Sequence, residues 1–166
     1  MAPAGCALGR AAPERAPDRA RVTWVVDGDT IEVQIGGDGR ERVRLLGIDT
    51  PELRAARGGA ECGASAARVN LRRLVARGRA GARVRLHADP GSGDVRDRYG
   101  RLLAYADAPA GDLGEAQLRA GLARVYRHHG RRFSRLARYR RAEAAARAHR
   151  RGIWAACQPP GGTANR

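Results

Sequence analysis

Apolar positions along the chain change their period several times, and each change marks an element. Val22 to Val26 is a β-rich run, and Ile31, Val33 and Ile35 alternate with polar residues, as a half-buried strand does. Asp27-Gly28 lies between them and predicts a two-residue hairpin turn in which the glycine takes positive φ. After Gly36-Gly37-Asp38-Gly39, Arg42 to Ile48 predicts a third strand that Thr50-Pro51 stops. Helical spacing then takes over from Glu61 to Ala76, where Ala66, Val69, Leu71, Leu74 and Val75 fall near one face and Gly78 closes the helix. A fourth strand is predicted over 82–87, a Gly/Asp loop over 89–94 and a fifth strand over 101–106. A short helix is predicted from Asp112 to Ala120 with Gly121 as its C-cap, and a long Ala/Arg-rich helix from Ser134 to Arg151. Residues 1–20 and 158–166 show no periodicity and read as a flexible leader and tail, which leaves a folded unit over 21–157. Three strands, a helix, two strands and two helices make an α+β unit; a five-stranded OB-fold barrel with three helices fits the count.

At 166 residues the chain is the size of one domain. It contains no apolar run of about 18 residues, so no membrane-spanning helix is predicted. The formal charge is +15, and every basic side chain is arginine. The charge is uneven: residues 119–166 hold 13 arginines and one acid, Glu143. So one-sided a field favours a polyanionic partner, nucleic acid before a membrane surface, with binding that weakens steeply in salt. Of the three cysteines, Cys6, Cys62 and Cys157, none stands at zinc-ligand spacing. Cys62 and Cys157 are either a disulfide from the start of a helix to the C-terminal tail or two thiols. Ala4-Gly5-Cys6 looks like the end of a lipoprotein cleavage site, but the stretch before it is too short for a signal.

Three separated segments place acids and arginines at strand ends: Asp27-Gly28-Asp29-Thr30, Arg44 through Glu52, and Asp97-Arg98-Tyr99-Gly100-Arg101. Carboxylates offer hard oxygen ligands to a divalent cation, and arginines clamp phosphate in a planar fork. Together they are the equipment of a metal-dependent phosphodiesterase. Either aspartate alone would read as satisfying turn amides, and Asp27 is read as a turn-former.

These segments, with Gly121-Leu122-Ala123, Ala142-Glu143 and Gly152-Ile153-Trp154 in the same order, strongly resemble the staphylococcal nuclease (thermonuclease) family over residues 21–155. The resemblance implies an OB-type barrel and Ca²⁺-dependent hydrolysis of DNA and RNA, single-stranded or locally unpaired, to 3′-phosphate ends. It implies a monomer in a secreted or cell-envelope location. It makes Asp29, Asp49 and the Thr50 carbonyl the metal ligands and Glu52 the group that orients or deprotonates water. Arg44 and Arg101 become the phosphate clamps, and Arg98 and Tyr99 the contacts to the 3′-side phosphate. A cation beside Glu52 would lower its pKa and keep it ionised. The departure follows Val125: Tyr126 is one position out of register with the expected base-stacking tyrosine, which leaves stacking and a plain surface role both open. His87, His128, His129 and His149 are read as non-catalytic. The alternative on the same barrel is a non-catalytic nucleic-acid-binding module.

Overall fold

A computed structural model describes residues 19–37, 39–55, 58–76, 83–91 and 95–157. The expected leader to residue 18, the helix stop at Gly78, the start of the fourth strand and the tail from 158 lie outside them. Strands β1 (Ala20–Val25), β2 (Thr30–Ile35) and β3 (Gly39–Leu45) form the antiparallel meander read from alternation. β1 also pairs with β5 (Arg83–His87), and β5 with β6 (Leu102–Ala108), both antiparallel. The parallel pairing of β3 with β6, Val43 opposite Leu102, closes a five-stranded mixed barrel. Its interior is filled by Ile31, Val33, Val43, Leu45, Leu86 and Ala104, all essentially inaccessible to water. The fold class matches the expectation.

The strand after the meander is not continuous. β3 ends at Leu45, Leu46-Gly47 turns, and a short β4 (Ile48–Asp49) pairs with β8 (Arg124–Val125) rather than extending the barrel. The bend lets Ile48 stay fully buried while Asp49 reaches solvent.

Helix α1 (Ala64–Ala76) starts three residues later than predicted and buries Ala64, Ala67, Leu71 and Val75. Val69 and Ala66 are exposed, because the buried stripe runs through Ala64, Ala67, Leu71 and Val75. α2 (Leu113–Arg119) follows a two-residue strand β7 (Gly111–Asp112) and is capped by the Asp112 carboxylate, which accepts from the Glu115 amide at 3.0 Å. Its C-cap is Ala120; Gly121 follows at φ +70°. Helix α3 (Leu136–Ala148) is shorter than the predicted span, and a one-turn helix α4 (Ile153–Ala156) follows it. Gly121 and Gly152 meet here: a Cβ on Gly152 would lie 2.4 Å from the Gly121 carbonyl oxygen. That oxygen accepts from the Ile153 amide at 2.8 Å, so both glycines serve close backbone approach.

Polar fastenings hold the helices to the barrel. Arg135 bridges Asp107 and Asp112 at 2.7 and 2.6 Å, and Tyr139 donates to both oxygens of Asp112. Asp89 accepts from Tyr105 and from the Ser134 amide and hydroxyl. Cys62 and Cys157 are joined in a disulfide, which settles the open alternative.

Burial pushes the carboxyls of Asp89 and Asp107 up, but hydrogen bonds, from Ser134 and Tyr105 to Asp89 and from Arg135 to Asp107, hold both below the usual range. Their contribution to stability is full above about pH 4, where unfolded aspartates are ionised. It is lost as the pH falls through their lower folded values. Asp107→Asn is therefore expected to be less stable than wild type at pH 7, with urea midpoints of the two proteins converging towards pH 2. Cys62→Ser with Cys157→Ser opens a crosslink across 95 residues. On loop-closure entropy this costs on the order of 4 kcal/mol, read as a lower urea midpoint matched by wild type under reductant.

Candidate active-site cleft

The β1–β2 connection, which carries Asp27 and Asp29, is built differently from a two-residue hairpin. It spans four residues, Val26 to Asp29, with Val26 and Asp27 amides on the Thr30 carbonyl at 3.0 and 3.4 Å. Gly28 does not adopt a left-handed conformation. It is glycine because a Cβ there would lie 2.6 Å from Ala67 Cβ and 2.7 Å from Thr50 Oγ1. Asp27 acts as the turn-former expected, accepting from the Asp29 amide at 3.0 Å. Beneath the turn lies Gln117, fully buried, donating to the carbonyls of Gly28 at 2.7 Å and Ala67 at 2.8 Å. Asn70 donates to its Oε1 at 2.7 Å, so every polar atom of a buried amide joins α1, α2 and the turn. Nothing in the local sequence marks Gln117; only the pairing of distant elements does.

Asp29 is 3% exposed and saturated with partners. Its Oδ2 accepts from the Thr50 amide at 2.9 Å and hydroxyl at 3.1 Å and lies 3.1 Å from Arg44 Nη2; its Oδ1 accepts from Thr30. The same Arg44 nitrogen contacts Asp49 Oδ1 at 2.8 Å. Arg44 Nη1 donates to the carbonyls of Leu45 and Ile48 at 3.1 and 2.8 Å, which pins the bend between β3 and β4. Arg44 thus positions the carboxylates as well as facing the cleft.

Burial raises the Asp29 pKa to about 7, with Arg44 acting against the rise and Asp27 reinforcing it. Glu52 is likewise raised, by burial first and then by Asp27 and Asp49. The expected lowering presupposes a cation; the protein's own groups push the other way. The cluster gathers more negative charge than Arg44 balances, and its donors are all hard oxygens. That chemistry fits a divalent cation of the calcium or magnesium type. Among the described residues no three His, Cys, Asp or Glu side chains form a metal-holding group, so a carbonyl and water would complete any shell.

Glu52 is held at its backbone: its amide donates to Glu61 Oε2 at 2.9 Å and its carbonyl accepts from the Glu61 amide at 2.9 Å. Glu61 precedes disulfide-bonded Cys62, so the crosslink lies beside this fastening.

The third segment is a turn organised by Asp97, whose Oδ1 accepts from the Tyr99 and Arg101 amides at 2.9 and 3.0 Å. Its Oδ2 takes Arg101 Nε at 2.7 Å, and Arg101 Nη1 reaches Thr30 Oγ1 at 3.4 Å. Arg96 forks onto Glu41 of β3 at 2.8 and 3.0 Å and ties the turn to the barrel. Tyr99, 68% exposed, stands between Arg98 and Arg101, whose guanidinium carbons lie 4.8 and 5.4 Å from its ring centre.

These parts face one cleft of about 570 Å³. Arg44, Asp49, Glu52, Arg98, Tyr99, Arg101 and Tyr126 all line it, while Asp29 and Thr50 lie behind its wall. Tyr126, despite its shifted register, enters the cleft, half-exposed and 6.3 Å from the His128 ring. His128, Arg131 and Arg132 also line it, which the motif reading did not anticipate. The arginine excess after residue 119 was the only available signal.

The Asp29–Arg44 pair is nearly sealed from water, with side chains 5% and 12% exposed. Arg44→Met strips a buried carboxylate of its cation and unpins two carbonyls. A loss of about 3 kcal/mol is expected from urea unfolding at pH 8, and Arg44→Lys recovers only part of it.

The family profile described as Staphylococcal nuclease homologue matches residues 42–156. The SPbeta prophage-derived endonuclease YokF of Bacillus subtilis is 33% identical over 129 residues, covering 78% of this chain and 41% of that protein. Endonuclease YncB of the same species is 37% identical over 100 residues, covering 60% of this chain and 44% of that protein. The thermonuclease of Staphylococcus intermedius is 39% identical over 85 residues, covering 51% of this chain and 45% of that protein. The chain spans less than half the length of each of these relatives. The profile match takes in β4, helices α1 to α4 and most of the cleft, and on it the chain belongs to the staphylococcal nuclease homologue family.

Proposed function

We propose that the protein is a Ca²⁺-dependent phosphodiesterase that hydrolyses DNA and RNA to 3′-phosphate products, working as a monomer on single-stranded or locally unpaired substrate. The observation that carries this reading is the convergence of Arg44, Asp49, Glu52 and Arg101, from two separated segments, on one cleft backed by buried Asp29 from a third. Two of the relatives are named as endonucleases and a third as a thermonuclease, which supports the same reaction class.

Asp29, Asp49 and the Thr50 carbonyl would hold the cation, which supplies Lewis-acid polarisation of the scissile phosphate. Glu52 orients the attacking water and takes its proton; the Glu61 clamp on its backbone limits where the carboxylate can go. Arg101 is fixed by Asp97 through Nε, so its remaining nitrogens present a fork to the phosphate and neutralise charge that grows in the transition state. Arg44 contributes the same charge at shorter reach, since it is already bound to two carboxylates. Arg98 and Tyr99 meet the 3′-side phosphate, and Tyr126 offers a ring face to a base at the cleft edge.

Release of acid-soluble nucleotides from single-stranded DNA tests this, with Ca²⁺, with Mg²⁺ and with a chelator. Activity is expected only with Ca²⁺. Glu52→Ala is expected to fall by at least about 100-fold in kcat. Arg101→Ala should lose about 10²–10³-fold. If wild type binds DNA yet cuts no faster than Glu52→Ala under any metal, the protein is a nucleic-acid-binding module instead.

A further inference from the structure

A second groove, of about 640 Å³, lies between α2 and α3, and none of its lining residues lines the carboxylate cleft. Arg138 and Arg141 enter it from one face of α3, Arg119 from the last turn of α2, and Arg151 from just beyond α3. Glu115 is the only acid in its lining. Rather than cancelling the field, Glu115 arranges it. Its Oε1 accepts from Arg119 at 2.7 Å while Oε2 lies 3.0 Å from Arg138 Nε, which sets two guanidiniums side by side. Arg151 donates to the Arg119 carbonyl at 3.3 Å. Arg141 has no ion-pair partner among the described residues. The floor is Ala142 and Ala145, which leaves the groove wide.

We propose that this groove is a second nucleic-acid contact, holding the phosphodiester backbone of the polynucleotide away from the cleft. The proposal deepens the nuclease reading and rests on it for the identity of the polyanion. Charge complementarity selects the occupant: Arg138 is held by Asp112 and Glu115, and Arg119, Arg141 and Arg151 beside it offer donors that match phosphate oxygens spaced along a chain. No aromatic side chain lines the groove, so it offers bases no stacking surface and contacts the backbone without regard to sequence. The cleft differs in combining arginines with Asp49 and Glu52 and with the rings of Tyr99 and Tyr126. Affinity and chemistry are thereby divided between two surfaces.

Fluorescence anisotropy of a labelled 40-nucleotide single-stranded DNA, with chelator present to prevent cutting, tests the groove. Arg119→Gln with Arg141→Gln is compared with Arg73→Gln and Arg140→Gln, exposed arginines outside the groove that remove the same charge. The groove pair is expected to lose roughly 10-fold in affinity at low salt. Its slope of log K against log salt should flatten by about 0.7 for each lost phosphate contact, and oligo-dT and oligo-dA should give the same loss. The control pair is expected to lose less than about 3-fold, as a diffuse field would require. Equal losses in both pairs overturn the proposal, as does no loss from the groove pair. If the groove pair weakens binding only to phosphatidylserine vesicles and not to DNA, the assignment to nucleic acid is overturned. Should the groove pair unfold, Arg141→Gln alone against Arg140→Gln makes the same comparison. A wild type that never cuts but shows this split sinks the hydrolysis and leaves the groove standing.

Discussion

A carboxylate buried as deeply as Asp29 must be surrounded by donors, and the arrangement of the cleft follows from meeting that need. Thr50 supplies two donors and Arg44 a charge, so the end of β3, the bend after it and the β1–β2 turn are fixed relative to one another. Arg44 then uses its other nitrogen on the Leu45 and Ile48 carbonyls, and the bend that turns Asp49 outward is locked by the same side chain. Gln117 meets the turn from the opposite side through the Gly28 carbonyl. One buried charge thereby ties the break between β3 and β4 to the β1–β2 turn, and Gln117 ties that turn to α2.

The barrel was legible because its signal is periodic and local. Alternation from Ile31 to Ile35 and the run through Val43 and Leu45 are forced by which side chains face the interior. The motif segments were legible because each encodes its own turn: Asp97 organises Arg101 four residues on, and Asp27 closes onto Asp29. Long-range pairings were not legible. Gln117 reads as an ordinary helix residue until α1 and the turn are brought to it. The break after Leu45 was missed because Leu46, Ile48 and their neighbours are as apolar as a continuous strand would be; β8 captures the end, with Val125 opposite Ile48. Gly28 was expected in a two-residue turn at positive φ, whereas the turn spans four residues and the demand on Gly28 is for space against Ala67.

Glu61 and the disulfide show how a short loop acquires rigidity. The segment after Glu52 has few buried side chains, so packing alone gives it little order. Reciprocal bonds between Glu52 and Glu61 close it as a loop, and the adjacent Cys62 ties that loop to α4. α4 is held in turn by the Gly121–Ile153 hydrogen bond, and Trp154 packs beneath the guanidiniums of Arg124 and Arg147. Arg124 belongs to β8, opposite Asp49. α4 thus supports the Asp49–Glu52 segment of the cleft at both its acids, although it contributes no side chain to the cleft's lining.

A site built to attract a cation faces a conflict when its other ligand is a polyanion. Beyond the effect of burial, Asp27 raises the proton affinity of Asp29, and Asp27 and Asp49 raise that of Glu52, so the surroundings of both are negative. The same potential repels phosphate. Adding arginines inside the cluster would relieve the repulsion but compete with the cation, as Arg44 already does by contacting both aspartates. Placing arginines outside it, on Arg98 and Arg101 at the cleft edge and along α3, attracts the strand without occupying the carboxylates. The steep segregation of charge along this chain, 13 arginines against one acid after residue 118, is the sequence form of that solution.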